Sequence, residues 1–301
     1  MMKTLLCLVR HGVTDWNYEA RAQGVADIPL NAEGERQAEQ VAARLARESW
    51  NVLYSSPLQR AAATAAAIGR QVGLPVRLEA DMVERGCGPV EGTTWRERAI
   101  RWPGRKLHDM PGVESDEAVG VRASNILLEV ARRHPGERVI CVAHGGFIHN
   151  FLVAQGLESS WEGDKFQRNT CITRVWWDGE TFTRDGASEY DHILRDGIEY
   201  SAEKGRAQVV LRKLGLPELH PDLVDLATAV ETAWVKGELV AFQRAFTDGA
   251  RHGYVDLVAV QPGYERVLPV LMERLQTRYP QVSFTRIELP RVELPVPAVT
   301  D

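Results

Sequence analysis

Two histidines of this chain directly follow short apolar runs. The run LLCLV stops at Arg10-His11-Gly12, and the run VICV stops at Ala143-His144-Gly145-Gly146. Apolar runs without polar alternation are typical of strands that are buried on both faces of a parallel sheet. The carboxyl ends of such strands meet at one edge of the sheet, and ligands bind beyond that edge. The sequence therefore predicts that His11 and His144 lie together at one site.

An arginine from a third segment is expected at the same edge. The run VLY leads through Ser55-Ser56-Pro57 to Arg60, and this pattern predicts a helix capped by Ser56 with Arg60 in its first turns. A helix N-terminus adds unpaired N–H groups and a positive dipole end. Arginine presents a planar fork that matches phosphate oxygens, and glycine lets the backbone approach closely. Arg10, Arg60 and Gly145 are therefore candidate residues for binding a phosphoryl group.

The two imidazoles indicate catalysis as well as binding. A neutral imidazole can attack phosphorus while neighbouring cations spread the charge of the transition state, so we hypothesise that His11 is the nucleophile. Transfer from an organic phosphate also needs a proton donor for the leaving oxygen. Glu84, in the loop DMVERGCGPVEG, is the candidate, and Glu91 is its rival. A metal site built from His11, His144 and Glu84 is disfavoured, because the two arginines would repel a divalent cation.

The elements that position these residues predict an α/β fold. Strands and helices alternate along the chain, as in a layered αβα arrangement with a mostly parallel central sheet. Asn31 and Ser115 are expected to cap helices, and Gly73 is expected to end one. The stretch CITRVWWDGETFT predicts a hairpin around Asp178-Gly179. We expect this histidine-bearing domain to span residues 1–195.

The remainder of the chain predicts a smaller C-terminal α+β extension, residues 196–301. We expect helices across 198–214 and from 221 to about 249, with Trp234, Phe242 and Phe246 as a core-facing stripe. A strand near 255–260, a helix near 264–279 and a strand near 282–289 are expected to follow. Three roles stay open for the extension: covering the site, forming the interface of a homodimer, or binding a partner.

Composition excludes several classes of function. The 301 residues are 44% hydrophobic, and 36 Lys and Arg against 41 Asp and Glu give a formal charge of −5. Neither nucleic acid nor a membrane surface is therefore an expected partner. The four cysteines form no CxxC pair, and no apolar run reaches the length of a signal-peptide core or a membrane span. We expect a cytoplasmic protein whose partner is a small-molecule phosphate ester.

Six stretches carry a resemblance to a known family: LVRHGVTDWN, GVADIPLNAEG, SSPLQRAAATA, VERGCGPVEG, MPGVES and CVAHGG, in that order. From residue 3 to about 195 the chain resembles the histidine phosphatase superfamily, in the branch of the phosphoglycerate mutases and their phosphatase relatives. The resemblance implies a phosphohistidine on His11, with Glu84 as proton donor and later base, and it implies no metal or other cofactor. The residues that it implies for binding the phosphoryl group are Arg10, Asn17, Arg60 and His144.

The distance along the chain between Glu84 and His144 bears on the activity. Mutases that resemble this branch carry a long helical insertion there, whereas here the two residues are only 60 positions apart (144 − 84). This favours a phosphatase that hydrolyses a small organic phosphomonoester. A phosphoglycerate mutase is one alternative. A phospho-ligand binding or regulatory module is another, although a binder needs neither the nucleophile His11 nor an acid.

The segment between Glu84 and His144 also offers residues for the leaving group. We expect apolar side chains there to form pocket walls and basic side chains to contact a second anionic group. The expected walls are Trp95, Trp102, Leu107 and Met110, and the expected basic contacts are Arg101, Arg105 and Lys106.

Overall fold

This computed structural model groups the chain into two units by their contacts. The first unit comprises Met1–Trp16 and Arg21–Ile193, and the second comprises Asn17–Ala20 and Leu194–Asp301. The residues that the structure describes are 2–158, 167–195, 198–201, 227, 229–235, 238–247, 252–286 and 292–293.

The first unit contains the layered α/β fold that the sequence predicts. Its described strands form one sheet in the order β3-β2-β4-β1-β5-β6. The neighbours β3, β2, β4 and β1 are parallel, and β5 and β6 are antiparallel, with the predicted hairpin at Asp178 between them. The strands are β1 (Thr4–Arg10), β2 (Val52–Ser55), β3 (Val76–Leu78), β4 (Arg138–Ala143), β5 (Ile172–Trp177) and β6 (Phe182–Arg184).

Helices cover both faces of this sheet. Along β1, Leu5, Cys7 and Val9 pack in a core cluster with α2 and α3, while Leu6 and Leu8 pack in a second cluster with α5 and α6. This double burial explains the uninterrupted apolar run of the strand. The helices that cover the sheet are α2 (Ala32–Leu45), α3 (Gln59–Val72), α5 (Asp116–Arg133) and α6 (Gly145–Ala154). Two shorter helices, α1 (Asp15–Tyr18) and α4 (Trp95–Arg101), bury no side chain.

The predicted helix caps are confirmed at three of four positions. Asn31 accepts the N–H of Gly34 at 3.0 Å, Ser115 accepts that of Ala118 at 3.1 Å, and Gly73 ends α3 with a φ of 73°. The cap predicted at Ser56 is wrong, because α3 begins three residues later, at Gln59. The Ser56 hydroxyl accepts the N–H of Leu58 at 3.3 Å before the helix starts, and its other contact belongs to the site described below.

The second unit is built on a separate sheet. Its strand order is β11-β10-β9-β8-β7, antiparallel from β7 to β10, and β10 pairs in parallel with both β11 and β12. The elements are β7 (Glu199–Ser201), β8 (Ala229–Val235), β9 (Glu238–Thr247), β10 (His252–Val260), α7 (Leu268–Arg278), β11 (Ser283–Arg286) and β12 (Val292–Glu293).

The long helix predicted from residue 221 to about 249 is wrong, since β8 and β9 occupy most of this segment. Of the helix predicted across 198–214, residues 199–201 form β7 and residues 202–214 lie outside the described part of the chain. Residues 229–234 and 239–245 are buried without interruption, so these strands show no polar alternation that would mark them as strands. The later strand, helix and strand are confirmed as β10, α7 and β11.

Among the helices of the described residues, none combines the length and the apolar character needed to cross a bilayer.

Candidate active site

The two histidines lie side by side at the carboxyl ends of neighbouring strands. β1 and β4 are parallel partners, with Arg10 opposite Ala143, so the residue after each strand is a histidine. The ring centroids of His11 and His144 are 5.1 Å apart, with an angle of 59° between the ring planes. The His11 N–H donates to the carbonyl of Ala143 at 3.0 Å, which joins the two strand ends directly. The register of the parallel sheet thus produces the predicted pair.

The hydrogen bond of His11 fixes which of its ring nitrogens can react. Nδ1 lies 2.7 Å from the carbonyl oxygen of Gly12, and a carbonyl can only accept, so Nδ1 carries the proton. Nε2 is therefore left with its lone pair. Burial, together with the guanidinium groups of Arg60 and Arg10, holds the pKa of His11 well below the ordinary value for histidine. His11 is a neutral imidazole with a nucleophilic nitrogen at neutral pH.

His144 is fixed through a serine that directly follows the neighbouring strand β2. Its Nε2 lies 2.8 Å from the Ser56 hydroxyl oxygen, which already accepts the N–H of Leu58, so the hydroxyl hydrogen is available to Nε2. With the hydroxyl donating to Nε2, the ring proton is on Nδ1, a buried atom without a hydrogen-bond partner in the described part of the chain. Burial, Arg60 and His11 hold the pKa of His144 well below its ordinary value. His144 can thus present an N–H to an anion while remaining neutral.

Both arginines bring positive charge to the histidines. Arg60 is fully buried, and its Nη1 and Nη2 donate to the carbonyls of Ala26 and Gly24 at 2.7 and 2.8 Å. The Arg10 Nη1 donates to the carbonyl of Gln167. Within the described residues, the Nε atoms of both arginines are buried without a partner. Burial lowers the pKa of Arg60 to about 10, so the side chain keeps its charge at neutral pH.

Glycines open the N-terminus of α6 to these side chains. A Cβ atom on Gly145 would lie 3.3 Å from the Arg10 Nε, and one on Gly146 would lie 2.5 Å from an oxygen of Glu84. The second distance is a clash, which explains why residue 146 has no side chain. The positive end of the α6 dipole therefore lies beside two arginines and two histidines, which favours an anion there.

The carboxylate of Glu84 lies at this same helix N-terminus. Its oxygens accept the backbone N–H groups of Arg85 at 2.8 Å, Gly146 at 2.9 Å and Phe147 at 3.0 Å. The rival carboxylate, Glu91, accepts instead from the N–H groups of Val25 and Cys87. The geometry thus favours Glu84 over Glu91 as the acid beside His144.

Asn17 lies on α1, within the short segment that groups with the second unit. Its place at the phosphoryl group therefore stays a prediction. Its sequence position, directly after the loop that follows His11, is the observation on which that prediction depends.

Several of the expected leaving-group residues contact one another within their own segment. Met110 is buried in a small cluster with Cys87 and Val90, and Trp102 and Leu107 pack against that cluster. The Arg101 guanidinium lies 5.0 Å above the Trp102 ring, and Arg105 donates to the Asp109 carbonyl at 3.1 Å. These contacts fold the 85–113 segment on itself. Contact with a substrate stays a prediction for all seven residues: Trp95, Trp102, Leu107, Met110, Arg101, Arg105 and Lys106.

Sequence reasoning missed several residues that hold the site loops. Asn169 Nδ2 donates to the carbonyl of His11 at 2.9 Å, and the N–H of Thr170 donates to that of Arg10 at 3.0 Å. The N–H of Gly12 donates to the Thr64 hydroxyl at 3.0 Å. Each contact joins residues far apart along the chain, so no local pattern could have revealed it.

In the part of the chain that the structure describes, no three His, Cys, Asp or Glu side chains come together in a way that could hold a metal ion.

Known proteins share both the sequence and the fold of the first unit. The profile of the histidine phosphatase superfamily (branch 1) matches residues 6–187. An uncharacterized phosphatase, PhoE, of Bacillus subtilis is 41% identical over 149 residues, which is 50% of this chain and 76% of that protein. A probable phosphoglycerate mutase, GpmB, of Escherichia fergusonii is 34% identical over 181 residues, 56% of this chain and 82% of the relative.

A solved structure has the same fold. The phosphoserine phosphatase of Entamoeba histolytica, in complex with 3-phosphoglyceric acid, superimposes with a TM-score of 0.55 at 29% identity. The match covers 64% of this chain and all of that one. The chain belongs to the histidine phosphatase superfamily, in the branch that the sequence motifs predict. The predicted enzyme class, a phosphoric monoester hydrolase of this superfamily, is confirmed with it.

Proposed function

We propose that this chain is a metal-independent phosphatase that hydrolyses a small organic phosphomonoester through a phosphohistidine intermediate on His11. One observation carries the proposal: the Nδ1 of His11 is hydrogen-bonded to the Gly12 carbonyl, so Nε2 keeps its lone pair, and the charges of Arg60 and Arg10 act on the same ring. A histidine that only bound phosphate would be expected to offer a proton instead of a lone pair. The lone pair makes His11 a nucleophile.

In the first step, Nε2 of His11 forms a bond to phosphorus while the ester P–O bond breaks. The leaving oxygen takes a proton from the carboxyl of Glu84 and departs as an alcohol. Arg10, Arg60, His144 and Gly145 bind the phosphoryl oxygens, with Asn17 at their edge. Fixed cations and N–H groups stabilise the transition state without having to reorganise during the reaction.

In the second step, water attacks phosphorus. The Glu84 carboxylate takes a proton from the water as its oxygen bonds to phosphorus, and the P–N bond breaks with its electron pair returning to Nε2. Inorganic phosphate leaves, and His11 and Glu84 are restored. The same carboxyl thus acts as acid and then as base.

A phosphoglycerate mutase remains the alternative, since relatives of both kinds match this chain. The two activities differ in whether water or a second hydroxyl takes the phosphoryl group. Between Glu84 and His144 the structure contains two helices, α4 and α5, with 7 and 18 residues. This short connection supports hydrolysis. The complex of the similar phosphatase with 3-phosphoglyceric acid supports a small phosphorylated acid as the substrate class.

The decisive experiment is phosphate release from sugar phosphates, phosphoserine, phosphoglycerates and p-nitrophenyl phosphate, with a chelator present. We expect release by the wild type and none by His11→Ala. Brief mixing with substrate and denaturation should trap phosphate on the wild-type protein in an acid-labile, alkali-stable form. Interconversion of phosphoglycerates without release would instead indicate the mutase.

A phospho-ligand binding module is tested by Glu84→Gln. In an enzyme this change lowers turnover by about 100-fold or more while phosphate still binds. In a pure binding module it leaves ligand affinity and the absence of turnover unchanged. The homodimer and the cytoplasmic location stay predictions.

A further inference from the structure

An arginine outside the phosphate site holds the loop that carries Glu84. Arg122 lies on α5, and its Nη1 donates to the carbonyls of Asp81 and Val83, each at 2.8 Å. Its Nη2 donates to the carbonyl of Glu84 itself at 3.3 Å. The two remaining N–H groups go to the carboxylate of Glu114, at 3.1 Å from Nε and 2.9 Å from Nη2. All five N–H groups of this guanidinium therefore have an acceptor.

Glu114 fixes the same loop beyond Glu84. Its carboxylate accepts the N–H of Gly86 at 3.0 Å, and its own N–H donates to the Gly86 carbonyl at 2.8 Å. Burial raises the pKa of Glu114, but the hydrogen bonds from Arg122 and Gly86 outweigh it, and the pKa lies below its ordinary value. The pair of Arg122 and Glu114 thus holds the loop by hydrogen bonds on both sides of Glu84.

Arg122 also touches the other element that binds the Glu84 carboxylate. Its guanidinium carbon lies 5.9 Å from the centre of the Phe147 ring, and the N–H of Phe147 donates to Glu84. One side chain therefore contacts both the backbone of the loop and the first turn of α6. Five directed N–H groups in one plane are specific to arginine, so lysine could not reproduce the arrangement.

We infer that Arg122, held by Glu114, is a positioning residue for phosphoryl transfer. It holds the Glu84 carboxyl at the N-terminus of α6, from where that carboxyl protonates the leaving oxygen. The inference rests on the proposed function, which assigns that proton to Glu84. A displacement of about 1 Å in a catalytic group can lower the rate by about 100-fold. The contacts that hold the Glu84 loop in place therefore affect the rate of phosphoryl transfer.

The choice of leaving group separates positioning from a general contribution to folding. An alkoxide leaving group needs a proton, whereas p-nitrophenolate departs without one. The ratio kcat/KM reports events up to phosphoryl transfer to His11, so a later water step does not mask the effect. A loss of folded protein lowers both substrates equally, and a misplaced acid lowers only the alkyl phosphate.

The experiment compares kcat/KM for phosphoserine and p-nitrophenyl phosphate in Arg122→Gln and Glu114→Gln. We expect phosphoserine hydrolysis to fall about 10- to 100-fold, and p-nitrophenyl phosphate hydrolysis to change less than about threefold. Arg133→Gln is the matched control, because Arg133 lies on the same helix and pairs with Glu129 at the surface. It should change neither substrate. If Arg122→Gln fails to fold, Glu114→Gln, which keeps the shape of its side chain, provides the test.

Two further variants separate the possible failures. Adding Glu114→Gln to Glu84→Gln should cause little further loss, because a positioning residue acts through the group that it positions. Equal losses for both substrates, or full additivity in the double variant, would overturn the role of Arg122. If Glu84→Gln itself lowers both substrates equally, the acid role in the proposed function fails, and the positioning role fails with it.

Discussion

At the scale of single residues, the hydrogen bonds give the two imidazoles the same tautomer but leave opposite nitrogens available. In His11 the proton on Nδ1 goes to the Gly12 carbonyl, and the lone pair of Nε2 remains. In His144 the lone pair of Nε2 accepts a hydrogen bond from the Ser56 hydroxyl, and the N–H of Nδ1 remains available. One ring thus has a lone pair available, and the other has an N–H available. Neighbouring groups, not residue type, make this difference.

A serine should therefore matter to catalysis. In Ser56→Ala the Nε2 of His144 loses its donor, so the ring is no longer held in one tautomer. We expect kcat/KM to fall about tenfold, since a buried hydrogen bond lost in this way costs about 1–3 kcal/mol. Ser124→Ala is the control, because the Ser124 hydroxyl only accepts from Gln155. Equal losses in the two variants, at matched thermal stability, would contradict the role of Ser56.

Burial of neutral His11 predicts a pH dependence of stability. The folded pKa of His11 lies well below its ordinary value, whereas the unfolded chain takes up a proton near pH 6.5. The unfolded state therefore binds more protons below pH 6.5, and the free energy of unfolding falls as the pH falls. Each such histidine contributes up to about 1.4 kcal/mol per pH unit. Urea unfolding between pH 7.5 and 5.5 should show a smaller slope in His11→Gln than in the wild type, and identical slopes would refute this explanation.

At the scale of elements, one carboxylate joins three parts of the first unit. Glu48, after the end of α2, pairs with Arg44 on α2, Arg174 on β5 and Arg138 on β4. Burial raises the pKa of Glu48, but the hydrogen bond from Arg44 and the charges of the three arginines outweigh it, so the pKa lies below its ordinary value. The cluster is therefore ionised at neutral pH and fastens the helix to the sheet.

Removing this charge should destabilise the first unit. We expect Glu48→Gln to lower the free energy of unfolding by about 1–3 kcal/mol at pH 7, because three arginines lose their common partner. Since the folded pKa of Glu48 is lowered, this contribution is present above about pH 4.5 and is lost as the pH falls through the folded pKa. Glu39→Gln, which breaks an exposed pair with Arg70, should cost less than about 1 kcal/mol. Equal costs in urea unfolding would contradict the prediction.

At the scale of the whole molecule, each unit has its own core and its own ionic group that joins a helix to a sheet. In the second unit Glu231, only 1% exposed, accepts from Arg274 at 2.9 Å and from Arg278, both on α7. This group ties the helix to β8 in the same way that Glu48 ties α2 to its sheet. We propose that residues 1–195 and 196–301 are separate domains, each with its own cooperative unfolding.

Calorimetry can test this division. Removing the charge of one partner in a buried ion pair lowers the free energy of unfolding by about 3–5 kcal/mol. Glu231→Gln should therefore lower the melting temperature of one transition by several degrees. Glu48→Gln should lower the temperature of the other. If both variants shift one common transition, the two units unfold together, and the domain division proposed from the sequence is refuted.

The sequence by itself determined the family and the edge at which the site forms. Buried parallel strands carry an apolar run and end together, so His11, Arg60 and His144 could be assigned to one place from local pattern alone. Uniform burial also misled the interpretation: β8 and β9 lack polar alternation, and the even spacing of Phe242 and Phe246 suits a strand face as well as a helix.

Only the tertiary structure decided which groups act on which. Three features of the site depend on hydrogen bonds between residues 38 to 88 positions apart. They are the place of Glu84 at the N-terminus of α6, the bond between Ser56 and His144, and the contact of Arg122 with the Glu84 loop. Such contacts form only when packing brings distant segments together, and no local propensity encodes them. Residue types and strand ends are local properties, whereas partners and tautomers are set by the fold.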